Sequence, residues 1–330
     1  MNSVLYVGVD LHEKESQLAV FEQDGSLVEE RRLPTGELAS FLSSLPGEKR
    51  VAMESVGFVY PVYDCLSSLQ GCSVTVANVN RLQLISRSST KHDVADARIL
   101  GDLLRTDYLP VAHMRDPETR EKLAVVQERV NYGLKRGELR GSVRWLLKRR
   151  GIEAEKPFGP EGRARLKALR LQEVDDRLAE LDLAESILER LDAQIVDIAS
   201  RDRVARLLDT LPGMGPYTAL FLACALDDVD RFPDSKHLCA YLGLVPSLHQ
   251  SGDVMLTGHI TKLGDRFLRR NMVECARVAV RKDAHLREFH LRLRQKRGEK
   301  KALIAVARKM VAYAYWMLKR NRTYEELSPW

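Results

Sequence analysis

The stretch "SVLYVGVDL", residues 3–11, decides what fold the N-terminal part of this chain can have. Apolar residues alternate along it and the run ends in a carboxylate, Asp10, as in a strand whose end faces a ligand crevice. "ESQLAVFEQ" (15–23), the pair Asp24-Gly25 and "SLVEERRL" (26–33) then read as strand, tight turn and strand. "RVAMES" (50–55) predicts a further short strand ending at a second acid, Glu54, and "CSVTVANV" (72–79) is a β-branched one. Residues 58–70 read as a helix. So does "KHDVADARILGDLLR" (91–105), with apolar positions at Val94, Ala97, Ile99, Leu100 and Leu103. An early meander followed by alternating helices and strands predicts an α/β domain over residues 1–110.

After Pro110 the strand signals stop. Residues 117–150 look helical, and "GIEAEKPFGPEG" (151–162) is a Gly- and Pro-rich linker or turn. Residues 163–200 are expected as one long helical segment. Its apolar positions, from Leu171, Val174, Leu178 and Leu181 through Ala184 to Leu188, Leu191, Ile195 and Ile198, are spaced mostly three and four apart. That is a coiled-coil-like seam. It can pack on its own domain, but the acids on its outer faces favour an extended hairpin or a helix that pairs with a second subunit. The organisation expected is therefore an α/β domain (1–110), a helical coiled-coil-like segment (111–205) and an all-α C-terminal domain (206–330).

Bulk properties narrow the function classes. The chain has 330 residues, 45% hydrophobic and 30% charged, which suits a soluble globular protein of two or three domains. The longest apolar run, "ALFLACAL", is far short of the roughly 20 residues that cross a bilayer. The N-terminus lacks the pattern of a signal peptide, so the cytoplasm is expected. Five cysteines with no CxxC pair read as reduced, buried thiols rather than metal ligands or disulfides. The net charge of +6 is modest, but from Lys262 to Arg322 there are 19 Lys and Arg against 5 acids. A second basic run, "LKRGELRGSVRWLLKRRG", covers 134–151. Such segregation is the footprint of a phosphate-backbone partner.

Three constellations carry chemistry. Asp10 and Glu54 close strands, while Asp93 and Asp96 sit three apart and so share a helix face. Four carboxylates without His or Cys suit Mg²⁺, and two ions about 4 Å apart would clamp the attacking and leaving oxygens of a phosphodiester. "LLDTLPGMGPYTALFLACAL" (207–226) matches a helix-hairpin-helix, in which Gly213 and Gly215 let backbone amides approach a phosphate. In "HQSGDVMLTGHITKLGDRFLRR" (249–270), Ser251 precedes Gly252 and then Lys262, Arg266, Arg269 and Arg270. Taken alone it is a turn; beside a bound polyanion it is a candidate nucleophile, needing a base or metal for activation.

These residues resemble a known family. "YVGVDLHEKESQLAVF", "VAMESVGFVYPVYDCL" and "KHDVADARILGDLLR" resemble the RuvC-like (RNase H-like) domain of the DEDD-type insertion-sequence transposases, understood as bridge-RNA-guided recombinases with pilin-gene invertases among their relatives. "LLDTLPGMGPYTA", "AYLGLVPSLHQSGD" and "GHITKLGDRFLRR" resemble that family's C-terminal transposase domain. The resemblance assigns Asp10, Glu54, Asp93 and Asp96 to the DEDD set and Ser251 to the family's catalytic serine. It implies a phosphoserine–DNA ester, Mg²⁺, donor and target DNA, a structured bridge RNA, and dimers assembling into a tetramer. The sequence distance from Asp96 to Ser251 leaves room for the two to come from different subunits, with the helical seam as the place of pairing. "DLHEKE" departs from the commoner D-x-S-K-x, and Thr261 replaces a frequent serine before Lys262.

The sequence is also compatible with other readings. They are a site-specific DNA invertase of the same family, a RuvC-like junction nuclease using water, an actin-like kinase, and a purely architectural DNA binder. No GxxxxGK[ST] loop is present, and a kinase leaves the basic C-terminus without a purpose.

Overall fold

A computed structural model of the chain describes residues 4–79, 81–82, 93–251 and 254–327. It divides into two compact units, 1–114 and 115–330.

The first unit contains β1 (Val4–Asp10), β2 (Glu15–Phe21), β3 (Leu27–Pro34), α1 (Leu38–Ser44), β4 (Glu48–Glu54), α2 (Val59–Ser67), β5 (Cys72–Ala77) and α3 (Asp93–Arg105). The five strands form one sheet in the order β3-β2-β1-β4-β5. β1, β2 and β3 are an antiparallel meander, and β4 and β5 add in parallel. The Asp24-Gly25 turn forms as expected. Gly25 has φ of 94°, and the Asp24 carboxylate accepts from Ser26 N–H (2.8 Å) and Oγ–H (2.7 Å).

Period-two alternation sorts the strand residues between two faces. Val7, Val9, Leu18, Val51 and Met53 pack with Leu38, Phe41 and Leu42 of α1 and with Val59 and Leu66 of α2. The opposite face carries Tyr6, Ala19 and Phe21 with Ala97, and Ala52 and Ala77 with Leu100. Asp10 and Glu54 have the parity of Tyr6 and Ala52, so both belong to the face covered by α3. At Gly8 that helix lies on the strand itself: a Cβ there would meet the Ala97 carbonyl oxygen at 1.9 Å and the Gly101 nitrogen at 2.5 Å.

The second unit contains α4 (Pro117–Arg149), α5 (Pro160–Ala168), α6 (Gln172–Arg201), α7 (Arg203–Asp209), α8 (Pro216–Leu226), α9 (Ser235–Tyr241), β6 (Pro246–Ser251), β7 (Val254–Ile260), α10 (Arg266–Lys282), α11 (Ala284–Arg297), α12 (Glu299–Arg320) and α13 (Tyr324–Leu327). α4 opens on Asp116, whose carboxylate accepts from Thr119 Oγ1–H (2.7 Å) and N–H (2.9 Å), which pull its pKa down to about 2. Thirty-three residues make α4 about 50 Å long. α6 runs back along it: Lys122 pairs with Asp202, Arg129 with Asp192 and Arg140 with Glu185, a descending series that defines an antiparallel hairpin.

Two expectations about the helices, the continuous helix and the separate middle part, are corrected. The helix expected over 163–200 is broken at Leu169–Leu171, where Arg170 takes φ of 53°; α5 and α6 are separate helices. The seam on α6 takes the hairpin form that was one of its two expected outcomes: Val174, Leu178, Leu181 and Ala184 pack on Leu139, Val143 and Leu147 of α4. The segment expected as a separate middle part shares its core with the C-terminal helices, since Val126, Val130, Ile195 and Ala199 join the cluster built around α8 and α12.

The C-terminal part is not all-α. β6 and β7 form an antiparallel hairpin, with Ser251 paired to Val254. "VMLTGHI" is rich enough in β-branched and alternating residues for a strand, and Ser251 ends a hairpin arm. The cysteines are all free as expected, but Cys65 is exposed and Cys72 half-buried. Among the described residues no helix is long and apolar enough to cross a membrane.

Candidate active site

Two strand ends and one helix assemble the carboxylates. β1 and β4 are neighbours in parallel register up to Val9–Met53, so Asp10 and Glu54 stand one step further at adjacent strand ends. Alternation places both on the α3 face. Asp96 precedes Ala97, whose carbonyl rests on Gly8, and two residues of strand, about 7 Å, separate Gly8 from Asp10. Asp93 is the first residue of α3, and its side chain lies outside the described residues. Asp10 is buried at 9% exposure, and Asp96 is half-buried.

Among the described residues no group of three or more His, Cys, Asp or Glu is placed to hold a metal ion, and the Asp93 side chain lies outside them. The chemistry of the donor types fits a hard cation: Asp10 and Glu54 carry carboxylate oxygens at adjacent ends of one sheet, and Asp96 is on the helix that packs on that face.

His12 was missed in the sequence reading. Its Nε2 lies 3.1 Å from Oδ2 of Asp10. The signal was present as the D-x-H spacing in "DLHEKE", just past a strand end.

In the second unit, Ser251 is the last residue of β6, and its side chain lies outside the described residues, as do Gly252 and Asp253. The base of the hairpin is better defined. Gly243 (φ 67°) has no room for a Cβ, which would come within 2.3 Å of the Leu263 carbonyl oxygen. Gly264 (φ 69°) is pressed equally closely on the Tyr241 carbonyl oxygen. Thr261 N–H donates to Val245 O (2.9 Å). Arg269 donates through one guanidinium nitrogen to Leu263 O (2.5 Å) and Leu242 O (3.3 Å). The two chain segments entering and leaving the hairpin are thus clamped together.

The basic candidates separate by environment. Arg269 is committed to this clamp, whereas Lys262, Arg266 and Arg270 are exposed. α10 begins at Asp265, whose carboxylate accepts from Phe267 and Leu268 N–H. Arg266, Arg270, Arg277 and Arg281 recur along its exposed face, opposite buried Leu268, Met272, Cys275 and Ala279. Arg277 and Arg281 were also missed; the helical period that buries Met272 was the signal that exposes them.

The two glycines of the α7–α8 turn differ. Gly213 (φ 80°) is packed against α10, where a Cβ would meet Cys275 O at 2.4 Å, so this glycine serves helix packing. Gly215 has open space around its Cα and precedes Pro216 at the start of α8. α8 is buried on every side from Thr218 to Leu226 and is a core helix.

Comparison with known proteins agrees with both units. The IS110-type DEDD transposase domain matches residues 7–133, and the "Transposase IS116/IS110/IS902 family" description matches residues 205–291. A "Probable family 20 transposase" of Pseudomonas aeruginosa is 26% identical, over 96% of this chain and 98% of the relative. The "Transposase for insertion sequence element IS1111A" of Coxiella burnetii is 23% identical, over 98% of this chain and 92% of the relative. A "Pilin gene-inverting protein" of Moraxella bovis is 32% identical, over 37% of this chain and 39% of the relative. With the DEDD match covering the first unit and the start of α4, and the second family match inside the second unit, the chain belongs to the IS110/IS116 family of insertion-sequence transposases, enzymes that cleave and rejoin DNA strands.

Proposed function

We propose that this transposase cuts and rejoins DNA through a covalent serine ester. In this reading the Ser251 hydroxyl attacks a phosphodiester: the Oγ–P bond forms, the P–O bond to one sugar breaks, and the proton lost from Oγ ends on the departing sugar hydroxyl. The reverse attack, by a hydroxyl of a different strand, releases Ser251 and seals the new junction. The ester conserves the bond energy, so no ATP is needed. The N-terminal unit is read as RuvC-like, and Asp10, Glu54, Asp93 and Asp96 would hold Mg²⁺, one or two ions. Bound there, the cation would lower the cost of deprotonating a hydroxyl and offset charge at phosphorus.

The observation that carries this reading is the pair of carboxylates at adjacent parallel strand ends, Asp10 and Glu54, on the face that α3 covers with Asp96. The sheet order β3-β2-β1-β4-β5 supports the RuvC-like assignment. The exposed arginine face of α10, with Lys262 beside it, supplies phosphate contacts for donor and target DNA. Gly213 and Gly215 belong to this interface through the shape of the α7–α8 turn, Gly213 by setting the packing on α10 and Gly215 by leaving the start of α8 open. We include a structured non-coding bridge RNA as guide, supported by the excess of positive charge over both basic runs, and assembly of dimers into a tetramer.

The test is a labelled DNA substrate incubated with the full chain and Mg²⁺, then denatured. The wild type is expected to carry label on the protein and Ser251→Ala to carry none. Cleavage at the wild-type rate by Ser251→Ala would favour hydrolysis by water, as in a junction nuclease. A second outcome of the same chemistry, programmed inversion, is favoured by the pilin gene-inverting relatives.

A further inference from the structure

We propose that His12 is a positioning residue for Asp10, holding that carboxylate in the orientation in which it meets a divalent cation. The inference rests on the reading of Asp10 as a cation ligand. His12 Nε2 is 3.1 Å from Asp10 Oδ2. An ionised carboxylate only accepts hydrogen bonds, so the contact requires the tautomer with its proton on Nε2. Engaging Oδ2 fixes the carboxylate plane and with it the direction of Oδ1.

Packing does not hold His12 in place, because its side chain is 54% exposed while that of Asp10 is 12% exposed. Hydrogen bonds to the residue's backbone do. Thr35 Oγ1–H donates to His12 O at 2.7 Å. With that proton spent, Ser16 Oγ–H is the donor in the 2.8 Å contact to Thr35 Oγ1. Ser16 lies on β2 at 1% exposure, and Thr35 N–H donates to Lys14 O at 2.9 Å. The segment just beyond β1 is therefore stapled to the end of β3 and anchored in the sheet. His12 is carried at a fixed height over Asp10.

Hydrogen-bond partners of ligating side chains are typically worth about 10- to 100-fold in metal affinity. The experiment titrates Mn²⁺ into the full-length protein by electron paramagnetic resonance, comparing wild type with His12→Leu, His12→Gln and Asp10→Asn. His12→Leu removes the donor and is expected to weaken Mn²⁺ binding about tenfold or more. His12→Gln keeps an N–H donor at similar reach and is expected to restore most of it, with unchanged melting temperature in both. Thr35→Val, which leaves the imidazole intact, is expected to shift affinity in the same direction by less, and it keeps the test open should His12→Leu fold poorly. Asp10→Asn should abolish the high-affinity signal. If Asp10→Asn does so while His12→Leu and Thr35→Val bind Mn²⁺ like wild type, the positioning role is overturned and the carboxylate site stands. If Asp10→Asn also binds like wild type, the cation-ligand reading falls, and the role of His12 falls with it.

Discussion

Asp10 and Ser251 each close a β-strand, yet the two strand ends are built in opposite ways. β1 is the middle strand of five, paired on both edges, with apolar side chains packed on both faces. Among the described residues β6 pairs only with β7. A two-stranded hairpin has little stability of its own, so its order comes from the clamp at its base: Gly243, Gly264 and the two carbonyls gripped by Arg269. The carboxylates are thus preorganised by a core. The strand that ends at Ser251 is held by a local lock at the far end of the hairpin. Damage to the two regions should therefore have separable consequences.

The largest separation is expected at the two residues that the proposed function assigns to cation binding and to attack. Asp10→Asn and Ser251→Ala should each depress strand joining by about 10³-fold or more. Only Asp10→Asn should lose Mn²⁺ binding, and only Ser251→Ala should retain it while forming no protein–DNA adduct. Equal loss of Mn²⁺ affinity in both variants would break the comparison.

Next come the glycines. Gly8→Val forces side-chain atoms into the Ala97 carbonyl, and the expected cost is about 3 kcal/mol or more by urea unfolding of the first unit. Gly264→Ala adds left-handed strain of about 1–2 kcal/mol, together with a contact on Tyr241 O. Its signature should be local: faster hydrogen exchange over residues 246–260 and a weaker adduct yield, with Mn²⁺ affinity unchanged. Arg269→Gln, at about 1 kcal/mol, should speed exchange of the Thr261 amide without unfolding the unit.

The same contrast explains what the sequence allowed a reader to see. The alternation of "YVGVDL" and the Asp24-Gly25 turn state the meander locally, and a buried strand cannot hide its period. Asp10 and Glu54 were legible because a carboxylate ending an apolar run is rare without a reason. The hairpin was not, because the polar ends of Pro246–Ser251 and the Ser251-Gly252 pair read as a loop. Its stability lies in contacts with Tyr241 and Leu263 that no local pattern announces. The seam on α6 was visible at Val174, Leu178 and Leu181, but a heptad says nothing about whose helix fills it; Leu139 and Val143 of the same chain do. The break at Arg170 had no glycine or proline to mark it. His12 escaped because its role comes from one distance to Asp10 and from a staple at Thr35, 23 residues away.

The smallest prediction tests whether α3 is seated by the core or by its surface. Arg98, two residues after Asp96, pairs bidentately with Glu30 on β3, with one arm at 2.7 Å. The side chains are 49% and 25% exposed, so solvent screens the pair and its contribution is small. The hydrogen bond from Arg98 holds the Glu30 carboxyl below its ordinary value of 4.5. A depressed carboxylate stabilises the fold above that ordinary value, and the contribution is lost as pH falls through the lowered one. The unfolding difference between wild type and Glu30→Gln should accordingly be present at pH 7, shrink with added salt, and vanish in acid below pH 4.5. Mn²⁺ affinity should not move at pH 7, because the Gly8–Ala97 contact, and not the ion pair, sets where Asp96 lies. A loss of affinity in Glu30→Gln as large as that in His12→Leu would mean that the carboxylate end depends on its surface as much as the serine hairpin depends on its clamp.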